Sequence, residues 1–501
     1  MKTIPKRALI SVSNKEGLVD FARELLKFNI EIIATGGTAN LLTDSGISIT
    51  NVELVTSFPE IMGGRVKTLH PKIHGGILAR RGIDEGTMEK HGIQGIDIVV
   101  VNLYPFEQKN SIENIDIGGP AMLRSAAKNN EAVTVVVNPN DYKTVLSELK
   151  KKGYISDVVK KDLAGKAFSH TAKYDTAIAA YFQKTEEKQI LSLQQELRYG
   201  ENPHQKSSSY KNMQNSSRTS LINAKQHQGK PLSFNNLMDS DLALKCVRGL
   251  EHSVSACAIV KHATPCGVAH GNNLVEAYDR ALSADPSSAF GGIIAFNQEV
   301  NEEVAEKLST LFTEVIIAPT FSKNALEKLQ SKKNCRIIEV GYGSNENTYT
   351  FHSISGGLLI QETDELLDDE KSFKVVTRKK PSEKELKDAY FAWRVVRYVK
   401  SNAIVCAKNS RTIGIGAGQT SRVFSAKIAA MRAEEESLSL TGAVMASDAF
   451  FPFADSIDLA AKLGIRCIIQ PGGSVRDNEV IEAADRMNIS MILTNKRHFR
   501  H

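Results

Sequence analysis

The stretch Ala8-Leu9-Ile10-Ser11-Val12-Ser13-Asn14-Lys15-Glu16 decides how the first part of the chain folds. Ala8 to Val12 is apolar and rich in strand formers, which predicts a buried strand. Ser13 followed three residues later by Glu16 matches a capping box, so a helix is expected from that point. Leu18, Phe21, Ala22, Leu25 and Leu26 then recur at helical spacing. Working outward, Glu31 to Ala34 reads as a second strand, Thr35-Gly36-Gly37-Thr38 as a glycine turn, and Ala39 to Thr43 as the opening of another helix. Ile96 to Leu103 and Ala132 to Val137 read as further buried strands. This strand–helix alternation predicts an α/β domain, a doubly wound parallel sheet covered by helices, ending near residue 145.

Bulk properties set the class. At 501 residues, with 42% hydrophobic and 24% charged residues, the chain is a globular protein of about three domains. Its net charge of +6 is spread along the sequence, which suits small phosphorylated or carboxylated substrates better than nucleic acid. Six scattered cysteines without a Cys-x-x-Cys pair indicate reduced thiols and a cytoplasmic location. No segment has the length of a membrane span, and the start does not read as a signal peptide.

Two loops, Ser11 to Lys15 and Thr35 to Thr38, bring hydroxyls, backbone N–H groups and Lys15 to successive helix starts, which is the physics of a phosphate site. Simple capping and turn chemistry is the competing account of either loop alone. Gly63-Gly64-Arg65-Val66-Lys67-Thr68-Leu69-His70-Pro71-Lys72-Ile73-His74-Gly75-Gly76 has no clear period and reads as a long functional loop. Tyr104-Pro105-Phe106 follows the strand ending near Leu103, and Asp116-Ile117-Gly118-Gly119-Pro120 leads into a helix carrying Arg124 and Lys128. Lys67, Tyr104, Asp116 and Lys128 could therefore do acid–base work over an anion held by the first two loops.

Residues 146 to 197 are expected to form a helical connector, with Ala167, Phe168, Ala172, Ile178, Ala179 and Phe182 on its apolar positions. Arg198-Tyr199-Gly200-Glu201-Asn202-Pro203-His204-Gln205 is dense in polar side chains, and Lys206 to Ser220 reads as an exposed excursion. Further on, Ala258-Ile259-Val260 should end a buried strand and Thr264-Pro265-Cys266-Gly267 a tight turn after it, leaving Lys261 and His262 at the strand's mouth. A fixed charge beside a group that titrates near neutrality suits catalysis; a solvated loop is the alternative. Ala258 to Gly271 also aligns without gaps on Val405 to Gly418, matching Lys261 with Lys408, Gly267 with Gly414 and Gly271 with Gly418. That pattern suggests two similar α/β subdomains, about 198–370 and 371–501.

Several chemistries lose their markers. A zinc deaminase needs His-x-Glu and a later Pro-Cys-x-x-Cys, but Thr264 stands at the Glu position and Ala269 at that of the second Cys. A Gly-x-Ser-x-Gly elbow and a phosphate loop ending Gly-Lys-Ser/Thr are absent. What remains is acid–base and electrostatic chemistry at two clusters.

The motifs Gly64-Arg65-Val66-Lys67-Thr68-Leu69-His70-Pro71, Asn102-Leu103-Tyr104-Pro105-Phe106, Arg198 to Gln205, Lys261-His262-x-x-Pro265-Cys266-Gly267, Gly416-Ala417-Gly418-Gln419-x-Ser421-Arg422 and Ser447-Asp448-Ala449-Phe450-Phe451-Pro452-Phe453 occur in one order. In that order they resemble the bifunctional purine-biosynthesis family that joins aminoimidazole-carboxamide ribonucleotide (AICAR) formyltransferase to inosine monophosphate (IMP) cyclohydrolase. The resemblance runs nearly end to end. It implies a methylglyoxal-synthase-like cyclohydrolase domain at 1–145 and a duplicated cytidine-deaminase-like transferase region at 198–501. It also implies that AICAR takes a formyl group from 10-formyltetrahydrofolate and that the product closes to IMP.

By match to the family's motifs, His262 would be the base of the transfer, Lys261 would polarise the formyl group, and Asn402 would orient the substrate's carboxamide. Arg198 and Tyr199 would bind the nucleotide, Arg497 would contact its phosphate, Arg422 would bind substrate, and Phe451 and Asp455 would border the folate. In the first domain Ser11, Ser13, Lys15, Thr35, Gly37 and Thr38 would hold the phosphate, with Arg65, Lys67 and Thr68 near the reacting formyl group. Tyr104, Asp116 and Lys128 would manage the protons. The family implies a homodimer with the transferase site across its interface, no catalytic metal, and a structural potassium ion in some members; no nucleic acid or membrane partner is expected. One position departs from the pattern: Thr264 stands where the family has Asn, keeping a hydroxyl and losing the amide. A cyclohydrolase with an impaired or donor-altered transferase half, or a non-catalytic nucleotide-binding scaffold, would be the alternatives.

Overall fold

The computed structural model describes residues 4–104, 106, 111–183, 191–212, 219–344, 349–364 and 370–501. Pro105 of the Tyr104-Pro105-Phe106 motif, and residues 213–218 of the excursion, lie outside them. The chain divides into two compact units, Met1–Ile190 and Leu191–His501.

The first unit is built on five parallel strands, β1 (Arg7–Val12), β2 (Glu31–Ala34), β3 (Thr50–Asn51), β4 (Ile98–Asn102) and β5 (Thr134–Val136), in the order β3-β2-β1-β4-β5. The order reverses between β1 and β4, so the carboxyl ends of these two strands open a crevice where doubly wound sheets take ligands. Helices bury both faces. Leu18, Phe21, Ala22 and Leu25 pack on one side, and Met122, Leu123, Ala126 and Ala127 on the other. The long helix Asp157–Gln183 joins these cores through Leu163, Ala164, Ala167 and Tyr174, while Phe168 and Phe182 are exposed.

Three local expectations are corrected here. The first helix starts at Leu18, behind Gly17 at φ 64°, and not at Ser13. The amide groups of Ser13 and Asn14 donate instead to Asn102 Oδ1, at 2.7 and 2.8 Å, so a residue from β4 holds the loop that a cap would have closed. Second, Gly36 and Gly37 form the first turn of the helix Gly36–Asp44 rather than a turn before it. Third, the end of the Gly63–Gly76 stretch is helical from Pro71 to Leu78. His70 caps that helix by accepting the Lys72 N–H, and Pro71 sits at its first position, where its fixed φ is an advantage. Gly76 permits close packing there, since a Cβ would come within 2.5 Å of the Gln94 carbonyl.

The second unit opens with a hairpin, β6 (Leu191–Glu196) and β7 (Ser208–Asn212). Its first sheet contains β8 (Lys225–Gln228), β9 (Ser255–Lys261), β10 (Thr264–Gly271), β11 (Ile293–Phe296), β12 (Val315–Ala318) and β13 (Arg336–Glu339), in the order β10-β9-β11-β12-β13-β8. A hairpin of β14 (Tyr349–Ile354) and β15 (Gly357–Glu362) follows. The second sheet contains β16 (Lys374–Val375), β17 (Ile404–Ala407), β18 (Thr412–Gly416), β19 (Val444–Ser447), β20 (Cys467–Gln470) and β21 (Ser490–Leu493). Read from β18, its order is β18-β17-β19-β20-β21-β16, with the same parallel and antiparallel pairings as the first sheet. The duplication suggested by three aligned positions is therefore a duplication of the whole sheet. Gly267 and Gly414 play one part in both copies, because a Cβ would stand 2.0 and 2.1 Å from the Ala281 and Ala429 carbonyls of the following helices.

The two sheets meet along their edge strands. His270 N–H donates to the Ser410 carbonyl at 3.0 Å, and Thr412 Oγ1 bonds both the N–H and the carbonyl of Val268. His270 is 5% exposed and edge-on to Phe391, and neither of its ring nitrogens has a partner among the described residues. Burial pushes its pKa down to about 4; Glu251 opposes the shift, and Arg394, Lys387 and Arg280 reinforce it. The folded state therefore binds this proton less readily than the unfolded chain. Stability should be fully present above pH 6.5 and fall as pH drops from 6.5 towards 4, by roughly 3 kcal/mol from this residue alone. Unfolding followed across that range checks it: His270→Leu should flatten the acid limb, and an unchanged limb would mean other groups carry it.

Candidate active sites

In the first unit, the crevice between β1 and β4 is lined from both sides. Asn102 closes the end of β4 over the Ser13–Asn14 loop, accepting their two N–H groups and donating to the Asn14 carbonyl at 3.2 Å. The loop therefore presents the exposed Ser13 and Lys15 side chains, not these two amides, and Ser11 is half-buried on β1. Thr38 is buried, and its hydroxyl bonds both the N–H and the carbonyl of Val12, at 3.0 and 3.2 Å. The Thr38 side chain thereby ties the helix start to β1. Thr35 is also buried and precedes the exposed Gly36 and Gly37 at the first turn, where helical N–H groups lack intrahelical partners.

Two ammonium groups stand over this turn. A Cβ on Gly36 would lie 3.2 Å from Lys67 Nζ, and one on Gly37 would lie 3.3 Å from Lys15 Nζ. Like charges gathered at the positive end of a helix repel one another unless an anion sits among them. Lys67 is also ion-paired with Glu60, and Arg65 with Glu113 at 2.5 Å. Gly36 adopts φ 51°, where a side chain would be strained, and a Cβ at either position would press on the tip of a lysine.

Asp116 lies at the start of the helix Gly118–Lys128, where its Oδ1 accepts the Gly119 N–H at 2.8 Å. Burial raises its pKa, against the pull of that N–H, which suits a carboxyl group that exchanges protons. Its backbone N–H donates to Tyr174 Oη at 2.6 Å, and the Thr68 hydroxyl packs on Gly118, 2.6 Å from where a Cβ would be. Tyr104 is exposed beside this region, and the Leu103 N–H is held by His170 Nε2 at 3.3 Å. Lys128 is different. It stands ten residues along the helix from Gly118, about 15 Å by helical rise, on an exposed face, so the fold does not bring it to Asp116 within one chain.

In the second unit β9 ends at Lys261, and only His262 and Ala263 form the turn, both at φ 53°. Thr264 to Gly267, expected as the turn, instead begin β10, with a bulge between Pro265 and Gly267. Proline fits there because β10 is the edge of its sheet and needs no amide at a bulge. Lys261 Nζ donates to the Phe290 carbonyl at 2.8 Å, and the turn amides of His262 and Ala263 donate to Asp239. His262 is exposed, and Thr264 Oγ1 lies 3.5 Å from the His262 carbonyl. Since β9 runs antiparallel to β11, this turn lies beside the amino ends of the parallel strands, not the carboxyl ends.

The other expected residues separate into two groups. Arg422 is buried, and its guanidinium donates to Asp448, to Ser447 Oγ at 2.9 Å and to Asn402 Oδ1 at 2.7 Å. Asn402 spends its amide on the Gln419 carbonyl at 2.8 Å. These two thus belong to a network centred on the buried Asp448, which also accepts from Ser401. Phe451 is 0% exposed in the core, whereas Phe450 and Phe453 flank it at 37% and 51%. Phe451→Ala should cost about 3–5 kcal/mol of stability, read as a lowered unfolding midpoint, and a neutral result would place the ring outside the core. Asp455 is exposed at the start of the helix Asp455–Lys462, Arg198 lies 5.5 Å over the Tyr199 ring, and the exposed Arg497 lies 4.7 Å over Phe499. Among the described residues no hydrogen bond, ion pair or ring contact joins Arg198, Tyr199, Asp455 or Arg497 to Lys261 or His262.

Sequence reading passed over Asn102, His170 and Asp239. Asn102 lay inside a quoted motif, but nothing in the sequence shows which loop its side chain reaches. Among the described residues no group of three or more His, Cys, Asp or Glu is arranged to hold a metal, and no helix is long and apolar enough to cross a membrane.

Two family models match the chain. One, described as the AICARFT/IMPCHase bienzyme, matches residues 126–432, more than half of the sequence; the other, an MGS-like domain, matches 17–121. Of the solved structures that match, one described as the crystal structure of ForH is 37% identical over 36% of this chain and 99% of its own, with a TM-score of 0.34.

Proposed function

The chain belongs to the AICARFT/IMPCHase bienzyme family, and on that premise we propose which residues carry each of the two reactions. It catalyses the last two steps of IMP synthesis, formyl transfer to AICAR and dehydrative closure of the product to IMP.

For the transfer, the exposed His262 imidazole takes the proton from the 5-amino group of AICAR as that nitrogen attacks the formyl carbon of 10-formyltetrahydrofolate. Lys261 carries positive charge next to it and offsets the charge that develops on the formyl oxygen. Breaking of the bond from the carbonyl carbon to folate N10, which is protonated on leaving, completes the exchange. Arg198, Tyr199 and Arg497 bind the nucleotide. Phe450, the exposed neighbour of Phe451, and Asp455 border the folate. Asn402 and Arg422 act behind them, by fixing the segment from Ser401 to Ala403.

For the closure, the phosphate of the formylated nucleotide sits on the first turn of the helix Gly36–Asp44, between Lys15 and Lys67, with Ser11 and Ser13 beside it. Arg65 and Thr68 face the formyl end. Tyr104 and Asp116 move the protons as the carboxamide nitrogen adds to the formyl carbon and water leaves. Lys128 would serve this site only through a second copy of the chain, in keeping with a homodimer. A cytoplasmic location fits the reduced, mostly buried cysteines.

The observation that carries this reading is the pair of ammonium groups over Gly36 and Gly37 in one unit, together with the Lys261–His262 turn in the other. It is tested by supplying purified protein with AICAR and 10-formyltetrahydrofolate and following IMP by absorbance. Production of IMP is expected; an inert protein that still closes added formylated AICAR would remove the transferase assignment.

A further inference from the structure

His262 and Ala263 each adopt φ 53°, a region that costs energy for residues with a Cβ. Two successive residues of this kind point their N–H groups to one side and form a concave anion-binding nest. In this protein the nest is filled by a carboxylate from the helix Phe234–Arg248: Asp239 Oδ2 accepts the His262 N–H at 3.2 Å, and Oδ1 the Ala263 N–H at 2.6 Å. The duplicated sheet repeats the device. Asn409 and Ser410 adopt φ 56° and 53° between β17 and β18. Asp388, on the helix Glu383–Val396, takes their amides at 2.8 and 2.6 Å. Lys408 donates to the Thr441 carbonyl at 2.6 Å, as Lys261 does to that of Phe290. The two turns thus share a lysine, a carboxylate and a backbone shape, and differ in that one bears an imidazole.

We propose that Asp239 is a positioning residue for formyl transfer, holding the His262–Ala263 turn so that the imidazole stands ready beside Lys261. This rests on the assignment of His262 as the base. The carboxylate acts on the backbone of the turn and does not touch the substrate. Asn409 has no proton to take, so Asp388 does the same work in the twin turn without consequence for the chemistry.

The test uses the full-length protein and four variants: Asp239→Asn, Asp388→Asn, His262→Ala, and the double variant Asp239→Asn/Ala263→Gly. Asp239→Asn keeps the shape of the side chain but turns an amide group towards one of the two N–H donors. It should lower kcat for formyl transfer ten- to a hundredfold, the scale of a misplacement of about 1 Å. KM for AICAR, and AICAR binding measured by calorimetry, should stay within threefold, which also shows that the site is folded. Asp388→Asn should keep kcat within threefold, and glycine at 263, which adopts positive φ freely, should restore part of the lost rate in the double variant. If Asp239→Asn keeps its kcat while His262→Ala is inert, this inference falls and the base assignment stands. If His262→Ala transfers formyl groups normally, the base assignment falls and takes the inference with it. Equal losses in Asp239→Asn and Asp388→Asn, or a loss confined to KM, would overturn the positioning role.

Discussion

His262→Ala should lower AICAR formylation by about a thousandfold or more while leaving closure of added formylated AICAR unchanged. The expected size follows from what the residue is asked to do. A positioned base contributes about 10²–10⁴ in rate, and the amine of AICAR is a poor nucleophile until its proton is removed. Lys261 does not replace it, since its ammonium already donates to the Phe290 carbonyl. Closure should be insulated because the residues proposed for it lie in the unit Met1–Ile190, with a sheet and cores of its own. The duplicated turn supplies the control. Lys408→Ala and Asn409→Ala alter the same kind of turn without removing an imidazole, so both should retain formylation within about twofold, on the same reasoning. Steady-state assays of the two half-reactions, run separately, decide the matter. If His262→Ala keeps a tenth of the wild-type rate, the base is another group.

What the sequence shows of this molecule follows from how local each feature is. The β1 run and the helix behind it were legible because burial imposes a period on neighbouring residues. The start of that helix was not, because the Ser13 and Asn14 amides are claimed by Asn102, nearly ninety residues away. The glycines at 36 and 37 looked like a turn. In the fold they start a helix and lie under the ammonium groups of Lys15 and Lys67, and the second of these comes from a segment some thirty residues further on. In the second unit the duplication showed at Lys261 and Lys408 and at Gly267 and Gly414, positions where each copy needs the same contact. It stayed hidden at Asp239 and Asp388, because a gapless alignment sets them two residues out of step. Motif membership does not tell which side chains face solvent. Phe450 and Phe451 are adjacent, and one is exposed while the other is core. Arg422 is implied as a substrate-binding residue only by its motif, and only the fold reveals Asp448, Ser447 and Asn402 around it.

Lys67→Ala should make the protein accumulate formylated AICAR when it is fed AICAR and 10-formyltetrahydrofolate, with kcat/KM for closure reduced about 10²–10³-fold and formyl transfer unaffected. Lys67 is half-buried, and its ammonium stands beside the first turn of the helix Gly36–Asp44, across from that of Lys15. Removing one of the two cations leaves a bound anion with half of its compensation at a site partly shielded from water. A charged donor in such a place is worth about 3–4 kcal/mol, which gives the stated range. The two lysines should fail differently. Lys15 is exposed and is set on the anion alone, so Lys15→Ala should raise KM for the formylated nucleotide more than it lowers kcat. Lys67 precedes Thr68, which packs against Gly118 at the start of the Asp116 helix, and so would link the proposed anion site to the group proposed to handle protons. Its loss should therefore show in kcat as well as KM. Loss of Glu60 gives the opposing case, because that carboxylate is the internal counter-ion of Lys67. Glu60→Gln should retain closure within about tenfold, since the substrate's own anion can replace it. Chromatographic separation of formylated AICAR from IMP at early times reads all three variants. A Lys67→Ala protein that converts AICAR to IMP without a detectable intermediate would place the closing chemistry elsewhere in the first unit.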